Sequence, residues 1–297
     1  MVGHPLDELD EGALARFARV GARLLSGGML AASGGQATRM RPGRSLEFLD
    51  FRAYVPGDDV RRVDWRATAR SREPVVRRYA DDASSDWHVL LDRSASMGVA
   101  GEAKWRLAVQ VAAASAYLLL YLGNRVGVVL FSARADQACP LGRGQRQYTR
   151  ILRHLRAAAP RPPGGASSLA AAAAHLPMGS SFLVVSDFLA PDGMHEDLAR
   201  LRARGAPVRA IQVLADEETR LPAAGPLSLT DIESGEETVV EGSDVAEAQA
   251  EHALARLVDA LAAFCAGHGI PFTAARTDRP WAEVLLGHLL RRSGGHA

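Results

Sequence analysis

The sequence predicts an α/β protein built on a parallel sheet, and three observations carry that expectation. From Trp87 onward, short apolar runs that suit strands alternate with longer stretches of helical periodicity, the pattern of parallel strands joined by helical crossovers. Two of the apolar runs lead into an aspartate, Asp92 directly and Asp187 after Ser186, and in open parallel sheets ligands bind outside the carboxyl ends of the strands. The chain, 297 residues and 47% hydrophobic, has room for a full core.

Taken in order, residues 9–25 carry Leu9, Leu14, Phe17, Val20, Leu24 and Leu25 at spacings near three and four, an amphipathic helix with acidic residues in its first turn. Residues 27–43, with paired glycines, read as a loop. Residues 44–79 then form a small β-rich subdomain: a strand over 47–54, a turn at Pro56-Gly57, a short helix over 58–70 and a second strand over 75–79. Its arginines are interleaved with Asp50, Asp58, Asp59, Asp64 and Glu73. They serve either as internal ion pairs or as a partner-binding face, for which Arg52, Arg61, Arg62, Arg66 and Arg70 are the candidates. Trp65 is expected in the core of this subdomain.

Beyond it, strands are expected over 88–91, 126–131, 182–185, 208–214 and 270–275, with a hairpin over 227–240 turning at Ser234-Gly235. Helices are expected over 104–122, 145–158, 196–204, from Ser243-Asp244 to 266, and from an Asp278 cap to 292; an alanine-rich helix follows Ser167-Ser168 and ends before Pro177. The organisation that results is a helix and loop over 1–43, the arginine-rich subdomain over 44–85, the sheet domain over 86–292 and a frayed tail over 293–297.

A formal net charge of +1 gives no global attraction to nucleic acid or anionic membrane. Cys139 and Cys265 are far apart and form no Cys-x-x-Cys spacing, so neither a zinc site nor a disulfide framework is indicated and a reducing compartment fits best. The N-terminus does not read as a signal peptide. The longest apolar stretch, 107–122, is interrupted by Gln110 and Ser115 and falls short of the roughly 20 residues of a membrane helix. A cytoplasmic protein without membrane insertion is expected. Nearly every basic residue is arginine, Lys104 being the only lysine, and alanine runs are frequent. Biased codon usage accounts for both, so arginine abundance alone does not argue for RNA or DNA.

The chemistry gathers at residues 88–97, where an apolar run ends in Asp92 and Ser94 and Ser96 follow at steps of two. In a strand running out into a loop this spacing puts all three oxygen-bearing side chains on one side, whereas a helix turns Ser94 away. Short hydroxyls and a carboxylate suit a hard cation such as Mg²⁺, which takes oxygen ligands in octahedral geometry at about 2.1 Å. Two more oxygen-rich loops, Gly164-Gly165-Ala166-Ser167-Ser168 and Ser186-Asp187, are expected at the same sheet edge.

Asp92-Arg-Ser94-Ala-Ser96, the hydroxyl at Ser167 after a glycine loop, and Asp187 after a strand together resemble the metal-ion-dependent adhesion site of von Willebrand factor A-type domains. The segment 51–70, Phe-Arg-Ala-Tyr-Val-Pro-Gly-Asp-Asp-Val-Arg-Arg-Val-Asp-Trp-Arg-Ala-Thr-Ala-Arg, resembles the signature of the domain-of-unknown-function 58 family. The joint resemblance covers roughly residues 40 to 290 and implies a Rossmann-like von Willebrand factor A-type domain. It further implies that Ser94 and Ser96 bind Mg²⁺ or Mn²⁺ directly, that Asp92 and Asp187 hold it partly through water, and that Ser167 fills the usual threonine position, with Ser168 as the alternative. A carboxylate from a partner would complete the octahedron. The implied partner is a MoxR-type AAA+ ATPase, with other von Willebrand factor A-type proteins as further candidates, in the maturation or assembly of other proteins. Because many relatives in that family are membrane-anchored, a chain without an N-terminal hydrophobic hairpin is expected to be soluble.

Two rival readings are weaker. The segment 44–79 could bind nucleic acid with Trp65 and Tyr79 as stacking groups, but its acidic residues oppose this. A metal-dependent phosphohydrolase of the haloacid dehalogenase type wants a second aspartate where Ser94 stands. Gly-x-Ser-x-Gly, a Walker A loop, His-Glu-x-x-His and Gly-x-Gly-x-x-Gly are all missing, so no enzyme is expected.

Overall fold

A computed structural model describes residues 4–25, 48–53, 63–68, 74–79, 85–99, 102–133, 135–161, 167–174, 176–189, 194–219, 225–230 and 236–291. The chain divides into two units, Gly34–Ser84 and Met1–Ser33 with Ser85–Ala297.

In the smaller unit, β1 (Phe48–Ala53) and β2 (Val75–Tyr79) pair antiparallel, Ala53 opposite Val75 and Phe48 opposite Tyr79, with an irregularity between Phe48 and Asp50. Of the helix expected over 58–70, the described residues contain one turn, α2 (Trp65–Thr68). Asp64 caps it, Oδ1 accepting the Ala67 N–H at 3.0 Å, and Thr68 Oγ1 accepts the Val75 N–H at 3.1 Å, so side-chain bonds tie the turn to the hairpin. Val63 and Asp64 are buried, while Trp65, expected in the core, is 69% exposed. The cap explains the reversal: burying Asp64 to hold the turn carries the next residue round to the solvent side. The turn expected at Pro56-Gly57 lies outside the described residues, as does the loop over 27–43.

The larger unit is organised on a six-stranded sheet of order β10-β7-β6-β3-β4-β5. These strands are β3 (Asp86–Asp92), β4 (Arg125–Phe131), β5 (Ala135–Gly142), β6 (Ser181–Ser186), β7 (Val208–Leu214) and β10 (Phe272–Arg276). All pairs are parallel except β4–β5, so the sheet is mixed and not wholly parallel as expected. The extra strand was hidden by Pro140, which only an edge strand accommodates. The central strands read as unbroken Val/Leu/Ile runs because helices cover both faces. On one face Val89, Leu91, Val128 and Val185 meet α1 (Glu11–Leu24), α3 (Ala103–Tyr121), α4 (Gly144–Arg156) and α8 (Trp281–Leu290). On the other, Leu90, Val129, Phe131 and Val184 meet α5 (Leu169–Ala173), α6 (Met194–Ala203) and α7 (Asp244–Gly267).

Helix starts follow their caps. Asp10 accepts the N–H groups of Gly12 and Ala13 at the head of α1, and Ser243 Oγ accepts that of Ala246 at the head of α7. The last helix departs from expectation: Pro280, not Asp278, occupies the N-cap of α8, since its ring bars the preceding residue from helical geometry. A separate hairpin pairs β8 (Gly225–Thr230) with β9 (Glu237–Gly242), and the turn expected at Ser234-Gly235 lies outside the described residues. Among the described residues no helix is long and apolar enough to cross a membrane.

Strand order fixes where a ligand could sit. From β3 the chain moves outward to β4 and β5, then returns to β6 and proceeds the other way through β7 to β10. The switch therefore lies between the carboxyl ends of β3 and β6, where crossovers diverge and leave a crevice.

Candidate metal centre

Asp92 closes β3 and is fully buried. The Arg93 N–H still pairs with the Phe131 carbonyl at 2.8 Å, after which the chain bends back, the Ser94 N–H donating to Asp92 Oδ1 at 2.9 Å. Ser94 precedes a 3-10 turn over Ala95–Gly98 that contains Ser96, and the hydroxyls of Ser94 and Ser96 lie 2.9 Å apart. The step-of-two spacing thus converges through a carboxylate-anchored turn and not through an extended strand, because Asp92 takes the Ser94 amide that a strand would have left for a neighbour.

The second loop separates the two candidate serines. The Ser168 N–H bonds the Ser132 carbonyl at 2.9 Å, tying the loop to the end of β4, and Ser168 Oγ caps α5 by accepting the Ala171 N–H at 3.1 Å. Ser167 points the other way and donates its hydroxyl to Asp92 Oδ1 at 2.9 Å. From β6, Ser186 donates to Asp92 Oδ2 at 2.6 Å and accepts the Phe188 N–H at 3.0 Å. Phe188 has φ +52°, a left-handed conformation that a bulky residue rarely takes. Its buried ring and that N–H bond hold it there, turning the chain sharply just after Asp187. Gln212 on β7 steadies the bend by donating to the Asp187 carbonyl at 2.8 Å.

Asp187 Oδ1 accepts the Leu189 N–H at 3.3 Å, and Oδ2 accepts from Lys104 Nζ at 2.8 Å. Lys104, in the first turn of α3, is 0% exposed. Its ammonium also donates to the Ser96 carbonyl at 3.0 Å and to Glu218 Oε1, while Glu218 Oε2 accepts the Ala215 N–H at 2.8 Å. Lys104 and Glu218 had no place in the sequence-derived site, and Ser186 was expected at its edge but not among its ligands.

Burial, and next the neighbouring Asp187 charge, push the Asp92 carboxyl up to about 6 against the hydrogen bonds from Ser186, Ser94 and Ser167. For Lys104, burial alone would lower the pKa, but the Asp187 and Glu218 carboxylates outweigh it and hold the ammonium above the usual lysine range. With Asp92 ionised, three carboxylates and one ammonium leave two negative charges, the complement of one divalent cation.

The donor set fits a hard ion. Every candidate ligand is oxygen, and the 2.9 Å between Ser94 Oγ and Ser96 Oγ approaches the ~3.0 Å between adjacent ligands of an octahedral ion bound at about 2.1 Å. Among the described residues no group of three or more His, Cys, Asp or Glu side chains is arranged to hold a metal ion, so a centre here depends on its serines. Of the five candidate ligands, Ser94 meets Ser96 and Ser167 meets Asp92 directly, while Asp187 joins them through Lys104 and the Ser96 carbonyl. Of the candidate partner-binding arginines, Arg52 lies in β1 and Arg66 in α2, while Arg61, Arg62 and Arg70 fall outside the described residues.

Solved structures offer only distant likenesses. The conserved hypothetical protein BatB from Bacteroides thetaiotaomicron is 13% identical with a TM-score of 0.42 over 69% of this chain and 95% of its own. An aerotolerance-related membrane protein from Bacteroides fragilis is 18% identical with a TM-score of 0.42 over 69% and 98%. Sequence relatives are much nearer: uncharacterized proteins of Mycobacterium tuberculosis and Mycobacterium bovis are each 34% identical over 270 residues, 86% of this chain and 83% of theirs. The family described as "Protein of unknown function DUF58" matches residues 50–257, and the chain belongs to that family.

Proposed function

We propose that the chain is a non-enzymatic protein-interaction module whose Rossmann-like sheet domain is of the von Willebrand factor A type and whose binding depends on Mg²⁺ or Mn²⁺ at Asp92, Ser94, Ser96, Ser167 and Asp187. The observation that carries the reading is the meeting of hydroxyls and carboxylates from three separate loops at the switch between β3 and β6, with two hydroxyls at the spacing of adjacent octahedral ligands. In this reading Ser94 and Ser96 bind directly, Ser167 closes the second loop, and Asp92 and Asp187 act partly through water. A bound divalent ion supplies a coordination position for an anionic oxygen, and a carboxylate of the partner is the chemistry that suits it.

The site's own residues favour binding over turnover. Each hydroxyl is engaged by another hydroxyl or by Asp92, and among the described residues no histidine is hydrogen-bonded to any of them to act as a base. The proposed partner, from the sequence resemblance, is a MoxR-type AAA+ ATPase.

Capture from cell extract tests this, with wild type, Asp92→Ala and Ser94→Ala compared in Mg²⁺ and in EDTA. An AAA+ ATPase retained only by wild type in Mg²⁺ supports the reading. Unchanged capture in EDTA and by both variants overturns it and moves binding to the arginine-rich segment 44–79.

A further inference from the structure

We propose that Lys104 is a built-in counter-cation that sets the charge selectivity of the site and holds Asp187 and Glu218 in place; this rests on the metal reading above. Three acceptors from different elements converge on its ammonium: Asp187 Oδ2 after β6, Glu218 Oε1 in the 3-10 turn after β7, and the Ser96 carbonyl within the first loop. Three convergent acceptors match the three donors of an ammonium. A guanidinium presents a flat fork suited to parallel acceptors. The composition agrees, because of 35 basic residues in the chain Lys104 is the only lysine, and it is completely buried at this point. A chain that uses arginine for every other cation keeps lysine where a compact, fully enclosed charge is needed.

Lys104 does two things in this position. It takes one oxygen of Asp187 and one of Glu218, so the acidic loops after β6 and β7 are drawn to α3. It also cancels one of three carboxylate charges, leaving two negative charges that a divalent ion brings to neutrality. Without the ammonium the same site carries three, the complement of a trivalent ion. Lys104 is thus a positioning and selectivity residue, not a ligand, and Glu218 contributes charge at one remove.

The test is the ratio of terbium(III) to Mn²⁺ affinity, read by terbium luminescence and by Mn²⁺ competition, in wild type, Lys104→Met, Glu218→Gln and the double variant. Lys104→Met is expected to raise the ratio by about tenfold or more, the scale of one unit charge in a partly shielded site. Glu218→Gln is expected to move it in the opposite direction, and the double variant, again with two negative charges, to return it close to wild type. Loss of packing alone does not produce opposite signs and mutual rescue. If Lys104→Met fails to fold by circular dichroism, the Glu218→Gln arm decides. Mn²⁺ binding by wild type with a ratio unchanged in the folded variants overturns the counter-cation and leaves the metal site standing. Binding of neither ion by wild type overturns both.

Discussion

Replacing Ser94 with alanine separates a structural role for the Asp92 loop from a metal-binding one, because the substitution removes little of the protein's own bonding. The bond from the Ser94 N–H to Asp92 Oδ1 belongs to the backbone and survives, and what is lost is the hydroxyl pair with Ser96 at 2.9 Å. One such bond contributes about 1 kcal/mol net. In a domain of this size the melting midpoint then drops by roughly 2 to 4 °C without metal. On the proposed metal reading the scale changes. At about a hundred times Kd, a ligand specific for the folded state stabilises by about 2.7 kcal/mol, which moves the wild-type midpoint by roughly 5 to 10 °C. Deleting a direct ligand is expected to weaken affinity at least as much as deleting an outer-shell partner does, about 10- to 100-fold, which leaves at most about 1.4 kcal/mol at the same metal concentration. Differential scanning calorimetry with EDTA, Mg²⁺ and Mn²⁺ therefore has a defined pattern: a small offset in EDTA and a much larger gap in metal. A Ser94→Ala protein that keeps the full wild-type metal shift refutes the assignment, and a wild type that melts identically in all three conditions refutes the metal site.

Two further predictions concern the scaffold. Arg209 Nε donates to His288 Nε2 at 3.0 Å, so that nitrogen must be bare, and the ring proton sits on Nδ1 facing Thr273 Oγ1 at 3.0 Å. Burial first, then the Arg209 and Arg291 charges, hold His288 well below the ordinary histidine range. The unfolded chain therefore takes up a proton below pH ~6.5 that the folded one refuses, and the stabilisation is complete above that pH and lost on acidification by up to about 1.4 kcal/mol per pH unit. Urea unfolding from about pH 7.5 to 5.5 should show this slope in wild type and a shallower one in His288→Gln; equal slopes would sink the assignment. At Gly127, where the β4–β5 register shifts, an added Cβ would lie 2.9 Å from the Cys139 carbonyl and 3.3 Å from His88 Nδ1. Gly127→Ala is expected to cost about 1 to 3 kcal/mol and to speed hydrogen exchange in β5 before β6; uniform protection across the sheet would contradict it.

What the sequence disclosed, and what it withheld, divides along one physical line. Strands buried on both faces announce themselves as unbroken apolar runs, so β3, β6 and β7 were legible, and with them Asp92 and Asp187 at their carboxyl ends. Features fixed by one local bond against the general pattern were not. Pro140 disguised β5, Pro280 displaced the start of α8 from Asp278, and the buried Asp64 cap carried Trp65 to the surface. Lys104 belongs to a third kind. Its place inside an apolar helix hid its direction, and its uniqueness was absorbed into an explanation of the whole composition. Yet codon bias explains why arginine is common, not why one position escapes it. The exception therefore carried more information than the trend. Glu218 had no comparable signal, since an acidic residue in a turn after a strand is ordinary until the lysine it meets, more than a hundred positions earlier, is brought beside it by the return of the chain through β6 and β7.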